Sequence, residues 1–471
     1  MGLSRCMIRT LLGLFNIAIL FSCASERCDE QSSWIGGEIV NPKLDHVLLF
    51  HNDILVDTIP LQSNNFFLYE SNDLQEGLYS FQHYEYQVFY MEPGDSLMLR
   101  VNTVDFDESL TFSGRGAPKN NLMIEMFLLN EKEDQLLSSQ YALPPDEFQT
   151  ELDSLQDIRW ELLKEFKEKY QPGPRFAKLM DANVDYDFFA RKELYLTANA
   201  SNYQRNEQLP VPASFTDHRT VQDYDDCDIH AHYSYYRYVN RLFDNLAYEQ
   251  YQDQGRFDRN SFRHNFLRMQ LVDSLIEHEH LKNMMLRSNI GRYLINANNE
   301  DEERNMLDLF MNSSTNEEHK LEIQRLAENA MKLTPDHIIP NVALISYDQT
   351  TEDLHAVIRK PTVFYFWNTE SSNHYKSIHE RVAALKSDYP TFDFVGINTG
   401  TDYRKWRVVI DKLGYDPSRE YQFHNVELGQ EKLMVGSINK AIIIDGSGNI
   451  LEGNSNLFYR DIEAILAGIS Q

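Results

Sequence analysis

The sequence predicts a multidomain α+β protein with an N-terminal β-sandwich, a central helical region and a C-terminal α/β domain. Three observations carry this reading. The 471 residues exceed one ordinary core, and a hydrophobic content of 42% is enough to fill two or three. The hydrophobic pattern changes twice along the chain, from short aromatic-rich runs, to helical periodicities, to alternating strand and helix patterns. The 26 Tyr and 27 Phe supply the large side chains that packed sheets favour.

Residues 1–22 read as a secretory signal peptide. Arg5 and Arg9 precede an apolar run from Leu11 to Phe21, then small Ser22 and Cys23. That run falls short of the roughly 20 apolar residues of a spanning helix. Leu20-Phe21-Ser22-Cys23 resembles the lipobox of bacterial lipoproteins, although Phe21 is bulkier than the usual residue there. The resemblance implies cleavage before Cys23 and lipidation of Cys23, with residues 23–32 as a tether carrying Glu26, Asp29 and Glu30. Diacylation gives the two-chain anchoring that holds a protein stably on a bilayer. The implied address is the cell envelope, lipid-anchored to the outer membrane on its periplasmic face or the cell surface; a secreted protein with an incidental cysteine is the alternative.

Charge narrows the partners. With 44 basic and 72 acidic side chains the formal net charge is -28, which opposes nonspecific nucleic-acid binding and docking on anionic lipid. The expected partners are the membrane, through the lipid, and a protein or peptide of unknown identity. Once Cys6 leaves with the signal and Cys23 carries lipid, Cys28 and Cys227 remain. They form no CxxC pair, and their spacing does not decide whether they bond to each other.

Residues 33–113 read as the β-sandwich, in short runs such as Val47 to Phe50, Asn65 to Tyr69, Gly77 to Phe81, Tyr84 to Met91 and Ser96 to Val101, separated by Asn, Asp, Gly and Pro turns. FYMEPGDSLMLRVN is a strand, a Pro93-Gly94-Asp95 turn and a returning strand, and FDESLTFSGRGAPKNN closes the domain. These two stretches resemble the β-domain of unknown function that precedes thioredoxin-like domains in Bacteroidetes lipoproteins. That resemblance implies an accessory fold and no reaction. Gly114 to Gly116 lacks the strand-turn-helix context of a nucleotide loop and reads as a linker turn.

Residues 117–334 read as helical. Pro145-Asp146-Glu147 starts one helix, and Ser314-x-x-Glu317 caps another that ends near Met331. The polar run Asn299 to Glu303 reads as a solvated face. DYDDCDIHAHYSYYRYVN gathers Cys227, His230 and His232 among aspartates, which are metal-donor types. The spacing matches no closed four-ligand zinc pattern, and the tyrosines that follow suit a packed helix, so a structural role is preferred and no metal is assigned.

Residues 335–471 alternate regularly. KPTVFYFW is a strand, Tyr375 to Lys386 a helix, FDFVGINTG a strand, Tyr403 to Leu413 a helix, KAIIIDGSGNIL a hairpin and Arg460 to Leu466 a final helix. Such alternation predicts a largely parallel sheet covered on both faces. KPTVFYFWNTE, Pro340-Asn341-Val342, Trp406 and IIIDGSGNI together resemble thioredoxin-like proteins, specifically lipoprotein thiol-disulfide oxidoreductases related to cytochrome-maturation thioredoxins and to the alkyl hydroperoxide reductase superfamily. In that family the FW strand leads into CxxC, whose first sulfur sits at a helix N-terminus that stabilises thiolate.

Counting on from Phe366-Trp367, the resemblance places the first cysteine position on Ser371 and the second on His374. Serine cannot form the mixed disulfide through which exchange proceeds. The family's cis-proline position falls on Asn439, where a cis bond would cost about 2.5 to 4 kcal/mol, so a trans peptide is expected. A new Ser371-His374 nucleophile and base would also need an orienting acid; Glu370 is adjacent, but nothing in the sequence fixes its direction. The preferred alternative has a serine capping the helix and His374 solvated. Asp445 to Asn449 reads as a hairpin turn, lacking the spacing of a calcium loop.

The functional expectation is an envelope-anchored lipoprotein with a redox-inactive thioredoxin-like domain, in a binding or scaffolding role without a cofactor. The rival is a thiol-disulfide oxidoreductase or peroxiredoxin-like enzyme that draws on a cysteine outside any CxxC.

Overall fold

The computed structural model describes residues 32–51, 54–204, 211–220, 229, 232–459 and 461–469. It divides into two compact units. One contains the described residues up to Gln140, Thr150–Asp185, and the described residues from 229 to Tyr235; the other contains Tyr141–Gln149, the described residues from Tyr186 to 220, and the described residues from Tyr236 onward. The helical residues are therefore shared between the units.

The first unit is built on eight strands: β1 (Ser33–Val40), β2 (His46–His51), β3 (Ile54–Pro60), β4 (Phe66–Ser71), β5 (Gly77–His83), β6 (Glu85–Met91), β7 (Ser96–Asn102) and β8 (Thr111–Arg115). They form two four-stranded sheets, β4-β1-β7-β8 and β3-β2-β5-β6. One apolar core takes residues from both sheets, including Ile35, Leu49, Phe81, Phe89 and Leu99, which makes the pair a β-sandwich.

The two motifs in this unit form a clasp. In the β6–β7 turn, Asp95 Oδ2 accepts from the Glu92 amide at 2.9 Å, and Lys119 Nζ lies 2.9 Å from Glu92 Oε2 and 3.0 Å from Asp95 Oδ2. Gly116 has φ of 92°, and a Cβ there would come within 2.6 Å of the Asp95 carboxylate. It caps α1 (Ala117–Leu137), where the Asn120 side chain accepts from Tyr90 N at 2.7 Å and donates to Tyr90 O at 2.9 Å. Asn121 treats Phe112 the same way, at 2.9 Å and 2.9 Å. The GxG is a structural turn that brings two amide side chains onto backbone groups needing partners.

Two long helices follow, α2 (Pro145–Tyr170) and α3 (Pro174–Gln204), then α4 (Tyr233–Glu249), α5 (Phe262–Leu275), α6 (Glu279–Asn296), α7 (Glu300–Ser313) and α8 (Glu317–Met331). The cap of α8 differs from expectation. Asn316 is the N-cap, its side chain accepting from His319 N at 2.9 Å, while Ser314 ends α7 and donates to Asn283 Oδ1 at 2.8 Å. The solvated reading of Asn299 to Glu303 also fails at one position. Glu303 is completely buried, because it shares the inward stripe of α7 with Met306 and Phe310.

The C-terminal sheet has seven strands in the order β10-β9-β13-β12-β11-β14-β15. These are β9 (Ala343–Ser346), β10 (Thr351–Asp353), β11 (Thr362–Trp367), β12 (Asp393–Asn398), β13 (Glu420–Phe423), β14 (Lys440–Ile444) and β15 (Ile450–Asn456). The helices are α9 (Ser372–Asp388), α10 (Tyr403–Leu413), α11 (Val426–Lys432) and α12 (Asp461–Ile469). Only the β11, β12 and β13 neighbours run parallel, so the sheet is mixed where a largely parallel one was expected. The tight turn at Asp445 to Asn449 reverses the chain between β14 and β15, and β14 pairs antiparallel with β11. Strand β11 is buried throughout, and Trp406 is fully buried among Trp367, Val382 and Ile410 in the domain core. No described helix is long and apolar enough to cross a membrane.

Candidate functional site

Strand β11 delivers the chain from a buried sheet centre to the start of α9. Asn368 shapes the turn by accepting from the amides of Glu370 at 3.1 Å and Ser371 at 3.3 Å through its Oδ1. Ser371 occupies the N-cap position of α9 with φ of -107°, but its hydroxyl makes no capping bond. The side chain that engages a partner is His374. Its Nε2 lies 2.9 Å from Asn439 Oδ1, and Phe458 stands edge-on with ring centroids 6.3 Å apart. The expectation of a solvated His374 is therefore corrected: the ring is half-buried and tied across the domain.

Residues 65 positions apart, singled out for separate reasons, thus meet in one hydrogen bond. Every described peptide bond is trans, including the one that enters Asn439. Asn439 is pinned on both sides, its amide donating to Ser437 Oγ at 3.2 Å and its carbonyl accepting from Leu457 N at 2.9 Å. The loop before it carries Met434 at φ of 48°, and buried Lys440 donates to the Met434 carbonyl at 3.2 Å. Burial pulls the Lys440 ammonium down to about 7, against the attraction of Glu452.

This geometry does not assemble a Ser-His nucleophile. His374 Nε2 is taken by Asn439, and Nδ1 is buried without a partner, so neither nitrogen meets the Ser371 hydroxyl. Glu370, the candidate orienting acid, is engaged by Lys405 at 2.9 Å. What remains is a polar pair on the surface beside exposed Phe458 and Tyr459.

Beneath this surface lies a cluster that sequence reasoning missed. Glu420 on β13 is buried, and its carboxylate accepts from Tyr365 Oη at 2.5 Å and Trp367 Nε1 at 2.9 Å. His379 Nε2 approaches Glu420 Oε1 at 3.3 Å, while Nδ1 donates to Tyr375 O at 2.6 Å. The His379 ring stacks on Tyr415 with centroids 3.6 Å apart. Burial and the neighbouring carboxylate push the Tyr365 hydroxyl far above its ordinary range. A signal did exist: Tyr365 and Trp367 alternate onto one face of a buried strand, and their polar tips require an acceptor there. Gly396 makes room, since a Cβ would fall 2.2 Å from Glu420 Oε2.

Of the three metal candidates, His232 alone is among the described residues. Cys227 and His230 lie outside the described residues, as does the lipidation candidate Cys23. His232 is buried, its Nδ1 sits 2.8 Å from Ser234 Oγ, and burial lowers its pKa to about 4. Among the described residues no group of three or more His, Cys, Asp or Glu side chains is arranged to hold a metal ion.

Residues 359–450 match the family model described as thioredoxin-like, so the C-terminal domain is a thioredoxin-like domain. Solved structures similar to the chain include the thioredoxin domain of a thiol-disulfide oxidoreductase from Bacteroides vulgatus, 16% identical, covering 28% of this chain and 98% of that one at a TM-score of 0.25. A thiol:disulfide interchange protein from Bacteroides sp. is 18% identical, covering 30% and 95% at a TM-score of 0.24. A thioredoxin-like protein from Bacteroides caccae is 12% identical and extends over 56% of this chain and 95% of its own length, at a TM-score of 0.36. No curated protein matches the chain.

Proposed function

We propose that this chain is an outer-membrane lipoprotein, anchored through Cys23, whose thioredoxin-like domain binds a protein or peptide partner and does not exchange electrons. The supporting observation is the His374–Asn439 contact at 2.9 Å, a bond between two side chains without sulfur at the positions that the resemblance assigns to the second cysteine and the cis-proline. Thiol exchange needs an attacking thiolate and a disulfide, and a serine hydroxyl at the helix start supplies neither. Exposed Phe458 and Tyr459 beside the pair give an aromatic surface suited to a polypeptide partner.

The test is an insulin-reduction assay on the mature protein beside its Cys227→Ser variant. The expected result is turnover at the uncatalysed rate for both. Turnover in the parent that is lost in the variant would overturn the binding reading in favour of an oxidoreductase. Anchoring is tested separately by fractionation, where the parent is expected with membranes and a Cys23→Ala variant in the soluble fraction.

A further inference from the structure

Three guanidinium groups converge on one carboxylate among the helices of the second unit. Asp244 on α4 is buried. Fully buried Arg268 on α5 places Nε 2.9 Å from Asp244 Oδ1, and Arg259, in the loop before α5, places Nε 3.2 Å from Oδ2. Arg292 on α6 brings a terminal nitrogen to 4.0 Å from Oδ1, and His264 Nε2 stands at 3.5 Å.

Among the described residues, the further hydrogen-bond partners of Arg268 and Arg292 are neutral. Arg268 donates to Asn289 Oδ1 at 3.0 Å and Asn240 Oδ1 at 2.6 Å. Arg292 donates to Asn265 Oδ1 at 3.1 Å and Asn289 Oδ1 at 3.3 Å, and its buried Nε has no partner. Amide oxygens satisfy donors but cancel no charge. Among the described residues, the three guanidiniums and the one carboxylate they meet carry a surplus of two positive charges, within a chain whose formal net charge is -28. Arg292 feels this surplus: burial and the charge of Arg268 pull it down to about 10 despite Asp244.

A purely structural ion pair would need one arginine, and crowding three into a partly desolvated site costs free energy unless an anion shares it. The two guanidiniums at the rim remain accessible, with side-chain exposures of 51% for Arg259 and 26% for Arg292. We propose that this cluster binds a doubly charged oxyanion of the phosphate-monoester class between Arg259 and Arg292, with Arg268 and Asp244 fixing the geometry of the two. Phosphate monoesters carry about -1.5 to -2 charges at neutral pH, which matches the surplus, and their oxygens accept the paired N–H groups of guanidinium. A monocarboxylate would neutralise only half of it. This inference is independent of the Ser371, His374 and Asn439 site.

The test uses the whole mature protein, titrated with inorganic phosphate against acetate at matched ionic strength and read by thermal shift and calorimetry. Phosphate is expected to raise the melting temperature of the parent and of an Arg325→Gln control, which alters an arginine outside the cluster. Arg292→Gln and Arg259→Gln are each expected to weaken binding about tenfold or more, the size of one lost charge-assisted contact. Arg259 is half-exposed, so its variant reads the site even where Arg292→Gln fails to fold. Flotation with vesicles containing phosphatidic acid separates a lipid headgroup from a soluble phosphate: capture lost in Arg259→Gln assigns the headgroup, and a response to free phosphate without capture assigns the soluble ligand. No phosphate response beyond that of acetate and no capture would overturn the proposal, as would full affinity in both arginine variants.

Discussion

Replacing Glu303 by methionine should make the protein more stable, and increasingly so as pH rises. Glu303 sits in the first turn of α7, entirely buried, and among the described residues neither carboxylate oxygen has a well-formed hydrogen bond. Burial, opposed by the nearby Asn299 backbone amide and reinforced by Glu300 and Glu302, pushes its pKa from 4.5 up to about 7. The folded state therefore holds this proton more tightly than the unfolded chain. Stability falls as pH rises from about 4.5, and the penalty is complete above about 7. At about 1.4 kcal/mol for each pH unit of separation, the full penalty is on the order of 3 kcal/mol. Methionine keeps a similar length, removes the charge and leaves no unpaired polar atom. Urea unfolding of parent and variant at pH 5, 6, 7 and 8 should show a difference that widens by about 2 to 3 kcal/mol across the series. A difference that stays constant with pH, or a variant less stable at pH 8, would refute the assignment of a buried, unpaired carboxylate.

Lys440 should show the opposite slope: its pKa is lowered from 10.5 to about 7, so the cost of burying it is full below pH 7 and disappears as pH rises toward 10.5. Lys440→Met is then expected to stabilise by on the order of 3 kcal/mol at pH 6 and by less at pH 9, measured by the same unfolding curves. Glu420→Ala removes the acceptor shared by Tyr365, Trp367 and His379 and should cost about 3 kcal/mol or more in thermal unfolding; a loss below about 1 kcal/mol would mean the cluster is not cooperative. Gly396→Ala should also destabilise, because its Cβ would fall 2.2 Å from Glu420 Oε2, and a neutral result would contradict that packing. A double-mutant cycle over His374→Ala and Asn439→Ala should return a coupling of about 1 kcal/mol, whereas additive losses would show that the 2.9 Å contact contributes nothing.

The parts of the fold legible in the sequence are those where local chemistry and long-range pattern agree. FYMEPGDSLMLRVN reads as two strands and a turn because Gly94 and Asp95 suit that turn, and the structure forms β6 and β7 around it. Strand β13 was not legible, since a four-residue EYQF segment has too short a period to stand out. With it went Glu420, whose burial depends on neighbours supplied by β11, β12 and α9. The α8 cap was misread because Ser314 and Asn316 are both capping types and the Ser-x-x-Glu spacing favoured the wrong one. Glu303 could have been found. Its spacing to Met306 and Phe310 is the i, i+3, i+7 pattern of one helix face, but an unbroken polar run from Asn298 to Asn305 hides it.

The resemblance assigns Ser371, His374 and Asn439 from two separate motifs, and each assignment depends on register. On a helix, a one-residue slip turns the side chain by about 100°, far enough to remove it from any partner across the domain. His374 meets Asn439 at 2.9 Å, so the two positions assigned by resemblance are in contact. This shifts the question of activity to Cys28 and Cys227, the residues outside the described parts of the chain from which a mature protein cleaved before Cys23 could draw a free thiol. The insulin assay on the parent reads both sulfurs, and the Cys227→Ser comparison assigns any turnover to Cys227 or to Cys28. It interrogates the sulfur the proposed function leaves idle, whereas substitutions at Ser371 or His374 would perturb only groups that cannot form a disulfide.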